Sequence, residues 1–365
     1  MMHSAYESLD GALGLLAANG PELKNGFTDH APMVAEALCA MGEGAHARDW
    51  VAARLDQGTR RPEPTKAIRP AAWESALGDE ARYADWAELF AEDIARLGWR
   101  ETLDLWCARL ALGFAAAAAH GPIRVGHAAR ALGVGESAPR LRELADALAL
   151  WAAHYQELPT HLNGMPSYAT ASEALRHVPR VPQGARRNDG AITKALKQLV
   201  YADGFADSIS ALDLSGDPAN GGRDAARAFA HVFLAQADSP LTAIVFTHGL
   251  TGVTASLNIA PHISDEAARE LLAHAWHTGA GLYSAYARTP APGQASGASF
   301  AAEPETPADI TRHAVAHGDD HVIKLSQTCN DFYAQTGDDI FATIPRHART
   351  LLAAEAEREG TGKAA

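Results

Sequence analysis

Apolar residues recur every three to four positions along most of the chain, which is the spacing that places them on one face of an α-helix. Alanine and leucine dominate these faces, whereas runs rich in valine, isoleucine and tyrosine are scarce. The segment Thr242–Val253 has the composition of a strand, but with no partner strand in view it is interpreted as a buried helix. The pattern predicts further helices at Tyr6–Ala18, Pro32–Met41, Ala84–Leu97, Arg100–Ala119, Ala138–Tyr155, Ala191–Tyr201, Arg223–Ala235, Asp265–His277, His321–Tyr333 and Ile340–Glu355.

Three segments rich in proline and glycine separate these helices: Gly58–Pro70, Val178–Gly190 and Thr289–Pro307. The helices on either side of them are alike in composition, and no repeat is apparent. The sequence therefore predicts a single all-α domain over residues 1–365.

Composition limits the classes of partner. The chain has 365 residues, of which 47% are hydrophobic, and a formal charge of −13 without a cluster of lysine and arginine. Binding to nucleic acid or to an anionic membrane is therefore not expected. Three widely spaced cysteines, an apolar run (Leu110–Ala119) too short to cross a bilayer and the lack of a signal pattern predict a cytoplasmic protein. The apolar fraction also permits a dimer.

Familiar enzyme motifs are missing. The sequence contains no HExxH, GxSxG or CxxC pattern, and the stretch GVGESA at Gly133 follows a helix instead of a strand. A zincin, an α/β-hydrolase and a dinucleotide-binding fold are therefore not indicated.

Seventeen histidines are the unusual feature of the composition. Four of them lie in apolar surroundings: His30 in TDHAPM, His120 at the end of an alanine run, His248 in IVFTHGLTG and His321 in DDHVIKL. Each alone also fits an ordinary buried or capping histidine. Because helical proteins build metal sites from facing helices, and imidazoles suit iron, copper or zinc, the four together indicate a metal and substrate cavity buried in the domain.

Lys324 lies three residues after His321, on the same predicted buried face as Phe332. A cationic lysine repels a metal ion, and it becomes a ligand only when it is deprotonated or carboxylated. The alternative is an ion pair with Asp320 or Asp331, with the lysine stem lying along the helix.

The order of the blocks DHAPMVAEAL, HGPIRVGHAARAL, FTHGLTG and DDHVIKL, followed by TGDDIF, resembles the questin oxidase-like family from about Asn25 to Phe341. Fungal members act in anthraquinone, xanthone and aflatoxin-type polyketide pathways. The resemblance implies an oxygenase that performs ring cleavage or Baeyer–Villiger-type oxidation of an aromatic, quinone-like substrate. A related ring-cleaving member is a non-haem iron enzyme, which implies an Fe(II) site with O2 as co-substrate. The implied ligands are His30, His120, His248 and His321, with Lys324 as a carbamate.

The second block departs from the fungal pattern HPLIHLGY, because Arg124 replaces its inner histidine and His127 its tyrosine. These two residues and Thr251 are therefore candidates to hydrogen-bond substrate or bound oxygen, and His127 is also an alternative ligand. NADPH, which some members are said to use, has no supporting motif here.

Two other functional classes stay open on the sequence alone. A metal-dependent hydrolase or lyase would use the same site to activate water. A non-catalytic helical protein that binds a hydrophobic aromatic ligand would use the histidines as ordinary core groups.

Overall fold

The structure is a computed structural model that describes residues 2–162, 164–188, 190–288 and 304–353. Two short antiparallel strands, β1 (Asn19–Leu23) and β2 (Gly58–Arg60), form a small ribbon beside the helices. The α-helices of the described ranges are α1 (Met2–Leu15), α2 (Ala31–Ala40), α3 (Gly44–Ala52), α4 (Tyr83–Leu97), α5 (Trp99–Leu110), α6 (His120–Val134), α7 (Ala138–Ala153), α8 (Ala171–His177), α9 (Ile192–Leu196), α10 (Pro218–Gln236), α11 (Pro240–Ile259), α12 (Asp265–Tyr286), α13 (Pro307–His317), α14 (Asp320–Thr336) and α15 (Asp339–Leu351).

Polar residues with capping side chains begin many of these helices. Ser239 and Thr242 form a reciprocal capping box at α11, and Ser264 accepts a backbone N–H at the start of α12. Asp319 does the same at α14. Each cap satisfies an otherwise unpaired N–H group, a contribution of about 1 kcal/mol, and thereby fixes where the helix begins.

Helix α11 lies at the centre of the fold and packs against α6, α10, α12 and α14. The stretch Pro240–His262 is long and apolar enough to cross a membrane, but 78% of its most apolar window is buried in the fold, as in a core helix. Gly126 brings α6 close to α11, because a Cβ there would lie 2.7 Å from the Cα of Ala255. One hydrophobic core runs through all the helices of this single domain.

Most of the predicted helices are confirmed with ends that differ by a few residues, and Thr242–Val253 is indeed helical, as part of α11. The prediction for Ala191–Tyr201 is only half right, since α9 gives way to a 3-10 turn. The sequence did not predict the two strands or the helices α3, α8 and α13, and it gave no bounds for α6. The segment Thr289–Pro307 and the end of the helix predicted at Ile340–Glu355 fall largely outside the described residues.

The prediction of one helix over Arg100–Ala119 is wrong beyond Leu110. After a 3-10 turn the chain enters a left-handed turn, with φ of 49° at Ala117, 59° at Ala118 and 72° at Ala119. An alanine run favours a right-handed helix, and left-handed backbone costs a non-glycine residue roughly 1–2 kcal/mol. Tertiary packing overrides that preference here, and the turn delivers His120 to the first position of α6.

Replacing Ala118 by glycine should therefore raise the free energy of unfolding by about 1 kcal/mol, because glycine adopts this backbone without the Cβ penalty. Urea denaturation of the metal-free protein measures the change. The matched control is Ala91→Gly at an exposed position inside α4, which should lower the same quantity by about 1 kcal/mol. Equal destabilisation by both variants would contradict the strained turn.

Candidate metal centre

Four histidines, three inside helices and one at the start of a helix, meet in the core. His30 precedes α2, His120 begins α6, His248 lies in the middle of α11, and His321 is the second residue of α14. The Nε2 atoms of His30 and His120 are 2.7 Å apart, and those of His248 and His120 are 3.0 Å apart. The ring centroids of His248 and His321 lie 5.6 Å apart. The structure thus brings together all four histidines that the sequence singled out.

Polar contacts on the outer side hold three of these rings. The carboxylate of Asp320 accepts a hydrogen bond from Nδ1 of His30 at 2.5 Å, and it lies 2.9 Å from Nδ1 of His321. Nδ1 of His120 donates to the carbonyl oxygen of Ala117 in the left-handed turn. Protonation of Nδ1 on His30 and on His120 leaves their Nε2 lone pairs directed toward each other, as in histidines that share a metal.

The electrostatics of the cluster favour neutral imidazoles. Burial, together with Lys324, lowers the pKa of His30 to about 3, although Asp320 opposes the shift. Burial and the neighbouring imidazoles place the pKa of His120 and that of His248 well below the usual value. Nε2 of His321 is buried with no hydrogen-bond partner among the described residues.

This donor set fits a metal ion. Lone pairs facing each other at 2.7 and 3.0 Å repel unless a cation lies between them, and an unpartnered buried nitrogen costs about 1–3 kcal/mol. Ligand nitrogens about 2.1 Å from a metal and at right angles to each other are roughly 3 Å apart, which matches the spacing observed.

Lys324 lies one helical turn after His321 and is almost completely buried. No hydrogen bond or ion pair to its ammonium occurs among the described residues: Asp320 contacts two imidazoles, and Asp331 pairs with Arg130. The ion-pair alternative for this lysine is therefore not supported. Burial lowers the pKa of Lys324 to about 8, although Asp320 and Asp319 oppose the shift.

Comparison with known families decides the identity. The family model described as questin oxidase-like matches residues 11–329, which include all four histidines and Lys324. The chain belongs to the questin oxidase-like family. This family implies an oxidase-type enzyme, an oxidoreductase. A search of curated proteins found no match.

Arg124, where this questin oxidase-like chain departs from the fungal pattern, is engaged with another residue. Its Nε and one Nη donate to the two carboxylate oxygens of Glu143 at 2.6 and 2.8 Å. Burial opposes the charge of Arg124, but Glu143 raises the pKa of the guanidinium. This two-pronged contact joins α6 to α7, and it occupies two of the nitrogen donors that Arg124 could otherwise offer to a substrate oxygen.

His127 lies two helical turns after His120, about 10 Å along the axis of α6. Its Nδ1 is 2.6 Å from Oε2 of Glu36. Tyr6 and Arg130 donate hydrogen bonds to the other oxygen of the same carboxylate. Burial lowers the pKa of His127, while Glu36 opposes the shift. This imidazole is therefore held in a separate polar cluster, away from the four that converge.

Thr251 lies one turn after His248 on α11 and is buried. Its hydroxyl donates to the carbonyl oxygen of Thr247 at 2.9 Å, so it can serve a substrate only as an acceptor.

The substrate cavity predicted at the centre is not matched by the two clefts beneath α1. One is lined by Arg124, the other by His127 and Glu36, and the two clefts share Leu13, Pro32 and Glu143. Neither is lined by the converging histidines.

Sequence reasoning did not assign a role at the site to two groups that hold it together, the carboxylate of Asp320 and the carbonyl of Ala117. A signal existed only for Asp320, which adjoins His321 in the motif DDHVIKL. Its contact with His30 spans 290 residues of sequence, so local pattern could not show it.

Proposed function

We propose that this questin oxidase-like protein is a non-haem Fe(II)-dependent oxygenase that uses O2 to cleave or insert oxygen into the ring of an aromatic polyketide or quinone-like substrate. The observation that carries the proposal is the meeting of the Nε2 atoms of His30, His120 and His248, beside a buried and unpartnered Nε2 of His321. Nδ1 of His30 and of His120 is hydrogen-bonded on the outside. Such an arrangement is typical of a metal centre and atypical of histidines that only fill a core.

In this proposal His30, His120, His248 and His321 hold the metal, and Lys324 adds an oxygen ligand as a carbamate. A carbamate forms from the neutral amine, which burial favours by lowering the pKa of Lys324 to about 8. Bound iron would supply the electron transfer that activates dioxygen.

Thr251, Arg124 and His127 are not metal ligands in this proposal. Thr251 offers an acceptor one turn from His248, while Arg124 and His127 position α6 through their carboxylate partners. NADPH stays outside the proposal, because the described residues contain no parallel βαβ unit of the kind that binds dinucleotides. We further propose the cytoplasm as the compartment, since all three cysteines are unpaired thiols.

The decisive experiment measures metal content and oxygen uptake together. Purified protein reconstituted anaerobically with Fe(II) should hold close to one iron per chain and consume oxygen with a hydroxylated anthraquinone. His120→Ala should lose both, because His120 contacts two of the other three imidazoles. His46→Ala, at a largely exposed histidine of α3, is the matched control and should keep both.

Two results would overturn the proposal. The histidines would be ordinary core groups if the wild-type protein holds no iron, or if His120→Ala leaves the iron content unchanged. Turnover that continues under strict anaerobiosis would instead indicate a metal-dependent hydrolase or lyase.

A further inference from the structure

We infer that Asp320 is a positioning residue of the metal centre: one carboxylate that orients two imidazole ligands at once and adds a negative charge beside them. The inference rests on the metal centre proposed above. Asp320 does not have to touch the metal for this role, because it acts through the far side of His30 and His321.

The carboxylate of Asp320 contacts two imidazoles that come from opposite ends of the chain. Oδ2 of Asp320 accepts from Nδ1 of His30 at 2.5 Å, and Oδ1 lies 2.9 Å from Nδ1 of His321. The backbone N–H of His321 also donates to Oδ1 at 2.9 Å, which fixes the side-chain conformation. His30 is the residue before α2 and Asp320 the first residue of α14, so the carboxylate sets the distance between the two helix ends.

The ordinary roles of such an aspartate are taken by other residues. The N-cap of α14 is Asp319, whose side chain accepts from the N–H of Val322 at 2.9 Å. Asp320 also makes no ion pair with a lysine or arginine among the described residues, and Lys324 is not its hydrogen-bond partner. Among the described residues, the Asp320 carboxylate contacts the rings of His30 and His321 and the backbone N–H of His321.

The chemistry explains why two such contacts matter. A carboxylate that accepts from Nδ1–H fixes the tautomer with a free Nε2 lone pair and makes that nitrogen a better donor to a cation. Four neutral imidazoles carry no charge, and a carbamate on Lys324 would balance only one of the two charges of a divalent ion, so a nearby anion lowers the cost of burying the metal. The side chain of Asp320 is 27% exposed, which places the carboxylate where the site meets solvent.

The test is the dissociation constant for Fe(II), measured anaerobically on metal-free protein by competition with a chromogenic chelator. Asp320→Asn keeps the shape of the side chain and removes its charge, and we expect affinity to fall about 10- to 100-fold. Asp331→Asn is the matched control, because it makes the same change on the same helix at a carboxylate bonded to Arg130 and Gln327. The control should bind as tightly as the wild-type protein.

A second pair of variants separates charge from packing. Asp320→Glu and Asp320→Gln have the same length and disturb the fold alike, so the glutamate variant should bind Fe(II) at least about tenfold more tightly than the glutamine variant. The absorption spectrum of bound Co(II) should shift in the glutamine variant and stay close to wild type in the control.

The outcomes distinguish the two levels of inference. Affinity in Asp320→Asn equal to that of the wild type, or no difference between the glutamate and glutamine variants, would overturn the role of Asp320 and leave the metal centre standing. Wild-type protein that binds neither Fe(II) nor Co(II) would overturn the metal centre itself.

Discussion

Replacing Arg124 by methionine is expected to lower the free energy of unfolding by about 3–5 kcal/mol. Arg124 and Glu143 form a buried two-pronged ion pair at 2.6 and 2.8 Å, and the variant would leave the carboxylate of Glu143 without its cation. Burial raises the pKa of Glu143, and Arg124 opposes that shift, so the lone carboxyl group would also take up a proton more readily. Urea denaturation of the metal-free protein at pH 7 measures the loss.

The double variant Arg124→Met with Glu143→Leu provides the control. Two apolar side chains that replace a buried ion pair are often neutral or stabilising, so most of the lost stability should return. A raised KM with unchanged stability in Arg124→Met would instead show that the guanidinium binds substrate.

The helices were predictable where local signals agree with packing. Ser264 marks the start of α12, but the predicted end at His277 is nine residues early. The sequence GAGLYSAY that follows has two glycines and therefore low helix propensity. Packing explains the extension: Gly279 lies where a Cβ would come within 2.2 Å of the ring of Phe229, so α10 and α12 approach closely there.

The site was predictable in its residue types and not in its contacts. Apolar surroundings marked His120 and His248 as buried, but only the family resemblance named the four as one ligand set. Carboxylate partners decide what a buried charged residue does, and those partners lie far away in sequence. Arg124 meets Glu143 across α6 and α7, and His127 meets Glu36 from α2, so neither role follows from the local motif.

Replacing Lys324 by methionine is expected to stabilise the metal-free protein and to weaken its binding of Fe(II) strongly. Burial lowers the pKa of Lys324 from 10.5 to about 8, which corresponds to a cost on the order of 3 kcal/mol for the cation in the folded state. Methionine has a similar length and no charge, so the free energy of unfolding should rise by about 1–3 kcal/mol. Lys66→Met, at an exposed lysine, should change it by less than about 0.5 kcal/mol.

Although Lys324→Met should raise stability, it should lower the affinity for Fe(II). The dependence of wild-type affinity on carbon dioxide shows whether Lys324 binds the metal as a carbamate. Loss of a direct ligand costs more than the 10- to 100-fold of an outer hydrogen-bond partner, so Fe(II) affinity should fall by more than about 100-fold in Lys324→Met. If Lys324 is a carbamate, wild-type affinity should also fall in buffer stripped of carbon dioxide and recover with bicarbonate, whereas the variant responds to neither. If the Fe(II) affinity of the wild-type protein does not change with bicarbonate, Lys324 is not a carbamate. A loss of binding in Lys324→Met would then mean that the neutral amine itself is the ligand, an assignment compatible with the lowered pKa of the buried lysine.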